Sequence, residues 1–158
     1  MVFTEKMIEK VFDREVDSDE EPMDVLSAIA GDQPALIAYL NQENLQLLTE
    51  EEFDYGTFLT TIIYKVFKEN GAEVAEVTAA QIDMAEEANW DILSRATGKK
   101  FSQRIDVFFE NYAQEDLLAF VEDALVPDEL PIVTSEGREP LFVTLKTIID
   151  VLNANIKA

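Results

Sequence analysis

Asp83, Glu86, Glu87 and Asp91 stand close together in the stretch DMAEEANWD. Carboxylates three and four residues apart share one face of a helix. There they can hold Mg²⁺ or another hard divalent cation, or split their pKa values for acid–base work. A divalent site usually draws ligands from more than one element, and the sequence alone does not pair this helix with another. The alternative is a solvated acidic face, crossed by Trp90 as a core edge or an interface anchor.

A second carboxylate series is DREVDSDEEPMD, residues 13–24. With Asp13 at the first position of a calcium loop, Glu15, Asp17, Asp19, Glu21 and Asp24 fall at positions three, five, seven, nine and twelve. The sixth position needs glycine for its sharp turn and holds Ser18; the twelfth wants a bidentate Glu and holds Asp24. The pattern therefore reads as a solvated acidic linker or a docking strip rather than a calcium site.

The docking reading has wider support. From Glu15 through Tyr64 there are twelve acids and no Lys or Arg, a local charge of −12. A basic protein surface is the physical complement of such a field. Asp17, Asp19, Glu20, Glu21, Asp24, Glu50 and Glu51 are the candidate contacts. Mimicry of a nucleic-acid backbone would need phosphate-like spacing of these carboxylates.

The opposite charge is also clustered. Arg95, Lys99, Lys100 and Arg104 lie in ten residues without an acid. Cations near a helix C-terminus are favoured by its dipole, and an internal acidic face can neutralise them. The island is otherwise a candidate site for an anion or a partner.

Composition removes other chemistry. The chain has 158 residues, no Cys and no His. Thiolate nucleophiles, disulfides, Cys/His zinc sites, His or Cys haem ligation and Ser-His-Asp triads are excluded within it. Thirty-three acids against twelve bases give a formal charge of −21, which repels nucleic acid and anionic membrane. The start, MVFTEKMIEKVFD, has no apolar signal-peptide core, and the longest uncharged apolar-rich run, between Asp54 and Lys65, is too short to span a bilayer. The expectation is a cytoplasmic protein without a cofactor. Its first functional reading is a non-enzymatic acidic module that docks a basic partner. A carboxylate-based metal-binding protein or enzyme, and an acidic inhibitor or immunity-like protein, are the alternatives; self-association is left open.

The elements that must position these residues are helical. Apolar residues recur at three- and four-residue spacing almost everywhere, and no convincing strand appears. Thr49–Glu52 and Thr78–Gln81 are capping boxes opening helices at about 50–70 and 78–97. Phe53, Phe58, Leu59, Ile62, Ile63, Val66 and Phe67 leave the first of these few polar positions, so it should be central. A short helix is expected at Met23–Ala30, closed by Gly31, and another after Asp32 with the face Leu36, Tyr39, Leu40, Leu47 and Leu48. Phe101, Ile105, Phe108, Phe109 and Tyr112 form one continuous stripe. Val126–Pro140 reads as a loop, with Leu130–Thr134 extended and Ser135 capping a last helix from Leu141. Tyr39, Tyr55, Tyr64 and Tyr112 are candidates to line a pocket between helices. The fold class is all-α: one compact bundle of six to eight helices in a single domain, with an acidic linker at about 13–24 and a loop at about 126–140.

Overall fold

Thr4 accepts the Met7 N–H on its hydroxyl, and α1 runs from Glu5 to Val16 behind that cap. In the computed structural model, residues 1–42, 48–126 and 132–157 are described. Among them the order continues with α2 (Pro22–Asp32), α3 (Pro34–Leu40), α4 (Glu50–Glu69), α5 (Ala79–Ser94), α6 (Phe101–Ile105), α7 (Glu115–Leu125) and α8 (Ser135–Ala154). A 3-10 turn, Asp106–Phe109, follows α6. The described residues contain no strand, only an isolated antiparallel bridge between Val74 and Ile156. The all-α multi-helix bundle read from the periodicity is therefore the fold.

α4 has the central place its apolar girth predicts: Leu59, Ile62, Ile63, Val66 and Phe67 are buried between α1 and α8. It shares that place with α8, in which every residue from Leu141 to Ile149 is buried. α8 packs on α4, α5 and α7. Apart from Val25 and Ile29 of α2, the buried apolar side chains among the described residues, from Phe3 to Leu152, form one cluster. Phe101 and Phe108 both meet Phe142 edge-on, with ring centroids 5.9 and 5.2 Å away, a favoured aromatic geometry.

Both predicted capping boxes form. Thr49 Oγ1 accepts the Glu52 N–H while Glu52 Oε1 accepts the Thr49 N–H; Thr78 and Gln81 do the same. Glu52 does more than cap its own helix. Its other oxygen, Oε2, accepts both the backbone N–H and the hydroxyl of Thr134, each at 2.9 Å. Thr134 Oγ1 in turn accepts the Gly137 N–H. One carboxylate thus joins the positive ends of α4 and α8.

This junction corrects the predicted loop and cap. Thr134, not Ser135, is the N-cap, and α8 begins six residues before Leu141. Pro140 lies inside the helix, where its missing N–H leaves the Glu136 carbonyl without a helical donor. The tertiary anchor from Glu52 offsets that local penalty. Of the predicted extended fragment, residues 130 and 131 lie outside the described residues.

Other boundaries shift for similar reasons. α1 continues to Val16 and α2 starts at Pro22, so the acidic linker contracts from 13–24 to Asp17–Glu21. Gly31 lies within α2 rather than after it, and Gln33, not Asp32, is the N-cap of α3. α5 ends at Ser94, short of Thr97. α3 ends at Leu40, and Leu47 of its expected face lies outside the described residues. The stripe from Phe101 to Tyr112 is not one helix: it breaks through the 3-10 turn to Asn111, whose φ of 55° is left-handed. Gly98, at φ +100°, makes the turn that precedes α6, a conformation that costs glycine little.

Gly56 reflects close packing. A Cβ there would meet the Leu141 Cδ2 methyl at 2.9 Å. Gly56→Ala gains about 1 kcal/mol of helix propensity and spends it on displacing a rotatable methyl. The expected result in urea unfolding is a stability within about 1 kcal/mol of the parent. A loss several times larger would mean that the α4–α8 contact cannot adjust.

Candidate partner-docking face

The N-terminal acids lie on the Asp17–Glu21 linker and in the first turns of α2 and α4. Pro22 opens α2 at its first position, where a missing N–H costs nothing. Asp24 sits in the first turn, near the positive end of the dipole. The linker turns back through Ser18, whose Oγ accepts the Glu20 N–H at 3.1 Å. Across from it, Glu50 lies one helical turn before Phe53 and Asp54 on α4.

Between α2, α3, the linker and the first half of α4 lies a groove of about 650 Å³. Met23, Val25, Leu26, Ile37, Phe53 and Phe58 supply most of its apolar wall; Glu15, Glu20 and Asp54 also border it. Met23 is 71% exposed.

The cations that meet this region come from outside the base-free run. Lys65 Nζ is 2.8 Å from Glu15 Oε1 and 3.5 Å from Glu20 Oε1. Lys68 Nζ is 3.5 Å from Asp32 Oδ2, which also accepts the Tyr64 hydroxyl at 2.7 Å. Arg14 pairs with Glu69. Asp17, Asp19, Glu21, Asp24, Glu50 and Glu51 are all exposed, and among the described residues no salt bridge reaches them. Of the seven predicted docking acids, only Glu20 has an internal cation.

The carboxylates of α5 fare differently. Asp83 and Glu87 are exposed, Asp91 pairs with Arg95 one turn on, and Glu86 Oε1 accepts the Trp90 indole N–H at 3.2 Å. Among the described residues no three acidic side chains converge as a metal site requires. Asp83, Glu86, Glu87 and Asp91 stand together on α5, which packs on α8 and α3, and the nearby Asp150 of α8 is engaged by Lys146. The calcium-loop pattern fails: Asp13 and Glu15 belong to α1, and Asp24 belongs to α2.

The basic island is divided. Arg95 is committed to Asp91, and Arg104 to Glu139 of α8. Lys99 and Lys100 border a cleft of about 600 Å³ together with Ser135 and Arg138, but Glu122, Asp123 and Glu139 border it too. Burial, with Asp123 and Asp106 nearby, raises the Glu122 carboxyl pKa.

The four tyrosines line no common pocket. Tyr55 donates to the Ala124 carbonyl at 2.9 Å, Tyr64 to Asp32, and Tyr112 to Asp150 Oδ1 at 2.5 Å. Tyr39 is buried beside Thr144 and Thr147 of α8. Burial raises the pKa of each phenol, and Asp150 adds to the effect at Tyr112. None is a phenolate near neutral pH.

The apolar wall of the groove was missed by sequence reasoning. Its signal was present: Met23, Val25 and Leu26 are too many apolar residues for the one buried stripe of a short helix, and α2 buries only Val25 and Ile29.

Comparisons with protein-family models, curated proteins and solved structures find no match for this chain. What fold and face define is a class: an all-helical, strongly acidic bundle with an acid-rimmed apolar groove. Among the described residues no helix is long and apolar enough to cross a membrane.

Proposed function

We propose that this chain is a non-enzymatic interaction module that docks a basic protein partner through its N-terminal acidic face. The observation that carries the reading is the set of six exposed carboxylates, from Asp17 to Glu51, that no cation meets in a salt bridge among the described residues. Arg95, Arg104 and Lys146 pair with Asp91, Glu139 and Asp150 elsewhere in the bundle; exposed acids such as Glu73 and Glu87 are likewise outside these bridges, and what sets the N-terminal acids apart is a run from Glu15 to Tyr64 that no Lys or Arg interrupts. An acidic field left open steers a cationic partner during encounter and repels anionic ones. An inhibitor of a basic enzyme or toxin would use the same face and differ only in what the partner does.

The reading predicts a steep salt dependence. Binding to a labelled lysine-rich polypeptide should weaken by about tenfold or more between about 50 and 200 mM salt, because exposed charges are screened over a Debye length of about 10 Å. Fluorescence polarisation measures it. A dissociation constant that does not move with salt, or no binding at the low-salt end, removes the proposal.

A further inference from the structure

We infer that the groove between α2, α3 and α4 receives a cationic amphipathic segment of the partner, its apolar residues seated in the groove and its Lys or Arg residues on the acidic rim. The inference rests on the docking reading above and adds to it an apolar anchor.

Three observations support this occupant. The groove is large, about 650 Å³, and its wall is apolar, with Met23, Leu26, Ile37, Phe53 and Phe58 only partly covered by the protein itself. Apolar side chains left half-open around one concavity are the seat of an inserted side chain. Met23, unbranched and 71% exposed, suits a contact that adapts to its ligand.

The third observation is charge. The charged residues that border the groove are Glu15, Glu20 and Asp54, with no Lys or Arg among them. Asp19, Glu21, Asp24 and Glu50 extend the negative field beyond it, and the nearest cation, Lys65, is already engaged by Glu15 and Glu20. Lys65 answers Glu15 and Glu20, so the acids an apolar ligand alone would leave unmatched are Asp54 on the border and Asp19, Glu21, Asp24 and Glu50 beyond it, and an anionic lipid surface would be repelled by them. A second copy of the chain brings a charge of −21. Its densest basic stretch has Arg95 and Arg104 already committed to acids. A segment with apolar anchors between basic residues satisfies both features at once.

The test separates the groove from the charge. Two labelled peptides of about 18 residues, five helical turns, are made from the same Leu and Lys composition. One is arranged to be amphipathic as a helix and one is scrambled so that no face is apolar. Near physiological salt, about 150 mM, the amphipathic peptide should bind about tenfold more tightly. Met23→Glu and Ile37→Glu are then compared, with circular dichroism to check the fold. Both add negative charge to the groove while removing apolar surface. Each should weaken the amphipathic peptide by about fivefold or more and leave the scrambled peptide unchanged or slightly tighter. Ile37 is half-buried; Met23, largely exposed, gives a variant that keeps its fold.

Equal binding of the two peptides, with Met23→Glu strengthening both, overturns the groove inference and leaves the acidic-face reading standing. Failure of both peptides to bind even at low salt removes the two together. A concentration-dependent dimer in sedimentation velocity that Met23→Glu dissociates would show the groove filled by a second copy, and would likewise overturn the inference.

Discussion

Glu52→Ala should lower the stability of the bundle by about 3 kcal/mol, a fall in Tm of roughly 6–12 °C for a chain of this size. The Glu52 side chain is in a residue only 2% exposed, and its carboxylate accepts three hydrogen bonds from two helix starts. Removing it strands the N–H groups of Thr49 and Thr134, each the amide of a cap residue. It also removes a negative charge from the positive ends of α4 and α8. The neighbouring residue makes the same point by addition. A Cβ on Gly137 would stand 1.9 Å from Glu52 Oε2, so Gly137→Ala must displace a carboxylate that its hydrogen bonds hold in place. It should destabilise by a comparable amount, unlike Gly56→Ala, where only a methyl must turn. Urea unfolding of the three variants measures the contrast. Glu52→Ala and Gly137→Ala indistinguishable from the parent would show that α8 does not depend on this junction.

The junction also predicts a pH signature. Burial alone would raise the Glu52 pKa, but the hydrogen bonds from Thr49 and Thr134 outweigh it and hold the pKa below its ordinary value. A depressed folded-state pKa adds stability that is complete above the unfolded pKa, about 4.3, and is lost as pH falls through the folded value. The overall self-repulsion of a −21 protein also changes with pH. The stability difference between the parent and Glu52→Gln therefore isolates the term. It should be constant at neutral pH and shrink on acidification below the ordinary glutamate range.

The second large effect lies between α5 and α8. Lys146 is 6% exposed, and its Nζ donates to Asp150 Oδ2 at 2.8 Å and to Asn89 Oδ1 at 2.9 Å. It also sits 4.7 Å from the Tyr112 ring centre and 5.5 Å from that of Phe108. Asn89 Nδ2 reaches both Thr147 and Asp150, and Tyr112 closes the network on the other Asp150 oxygen. Asp150→Ala leaves a buried ammonium without its counter-ion and a buried phenol without its acceptor, which should cost about 3–5 kcal/mol. Replacing both members of the pair, Lys146→Met with Asp150→Leu, should recover much of that loss, since no charge is then stranded. A double variant no more stable than Asp150→Ala would mean that the network's value lies in Asp150 itself rather than in neutralising Lys146.

These two places mark the boundary of what the sequence carried. Helix type and several starts were legible because local signals act within a few residues: the Thr49 and Thr78 boxes, the stripe of α4. What failed was set by contacts distant in sequence. Glu52 looked like a cap for one helix, and nothing nearby announced that Thr134 would share it and carry α8 back to Ser135. Lys146, Thr147 and Asp150 fall between the apolar positions of the last helix, and nothing nearby in sequence announced that Asn89 and Tyr112 would satisfy them. The acids of 15–64 were visible as a run, but which of them Lys65 and Lys68 would neutralise depended on the packing of α1 and α2 against α4. The groove wall was hidden for the same reason: half-burial of Leu26, Ile37 and Phe53 is a property of three helices together.

Placement of charge, rather than its total, is the central claim, and paired neutralisations test it. One variant carries Asp17→Asn, Asp19→Asn, Glu21→Gln and Asp24→Asn; a control carries Glu73→Gln, Glu76→Gln, Asp83→Asn and Glu87→Gln. All eight positions are exposed, and each variant loses four negative charges. Stopped-flow association with the labelled lysine-rich polypeptide at low salt should slow by about tenfold or more in the first variant and little in the control. Equal slowing in both would contradict the account, because the partner would then be responding to net charge and not to this face.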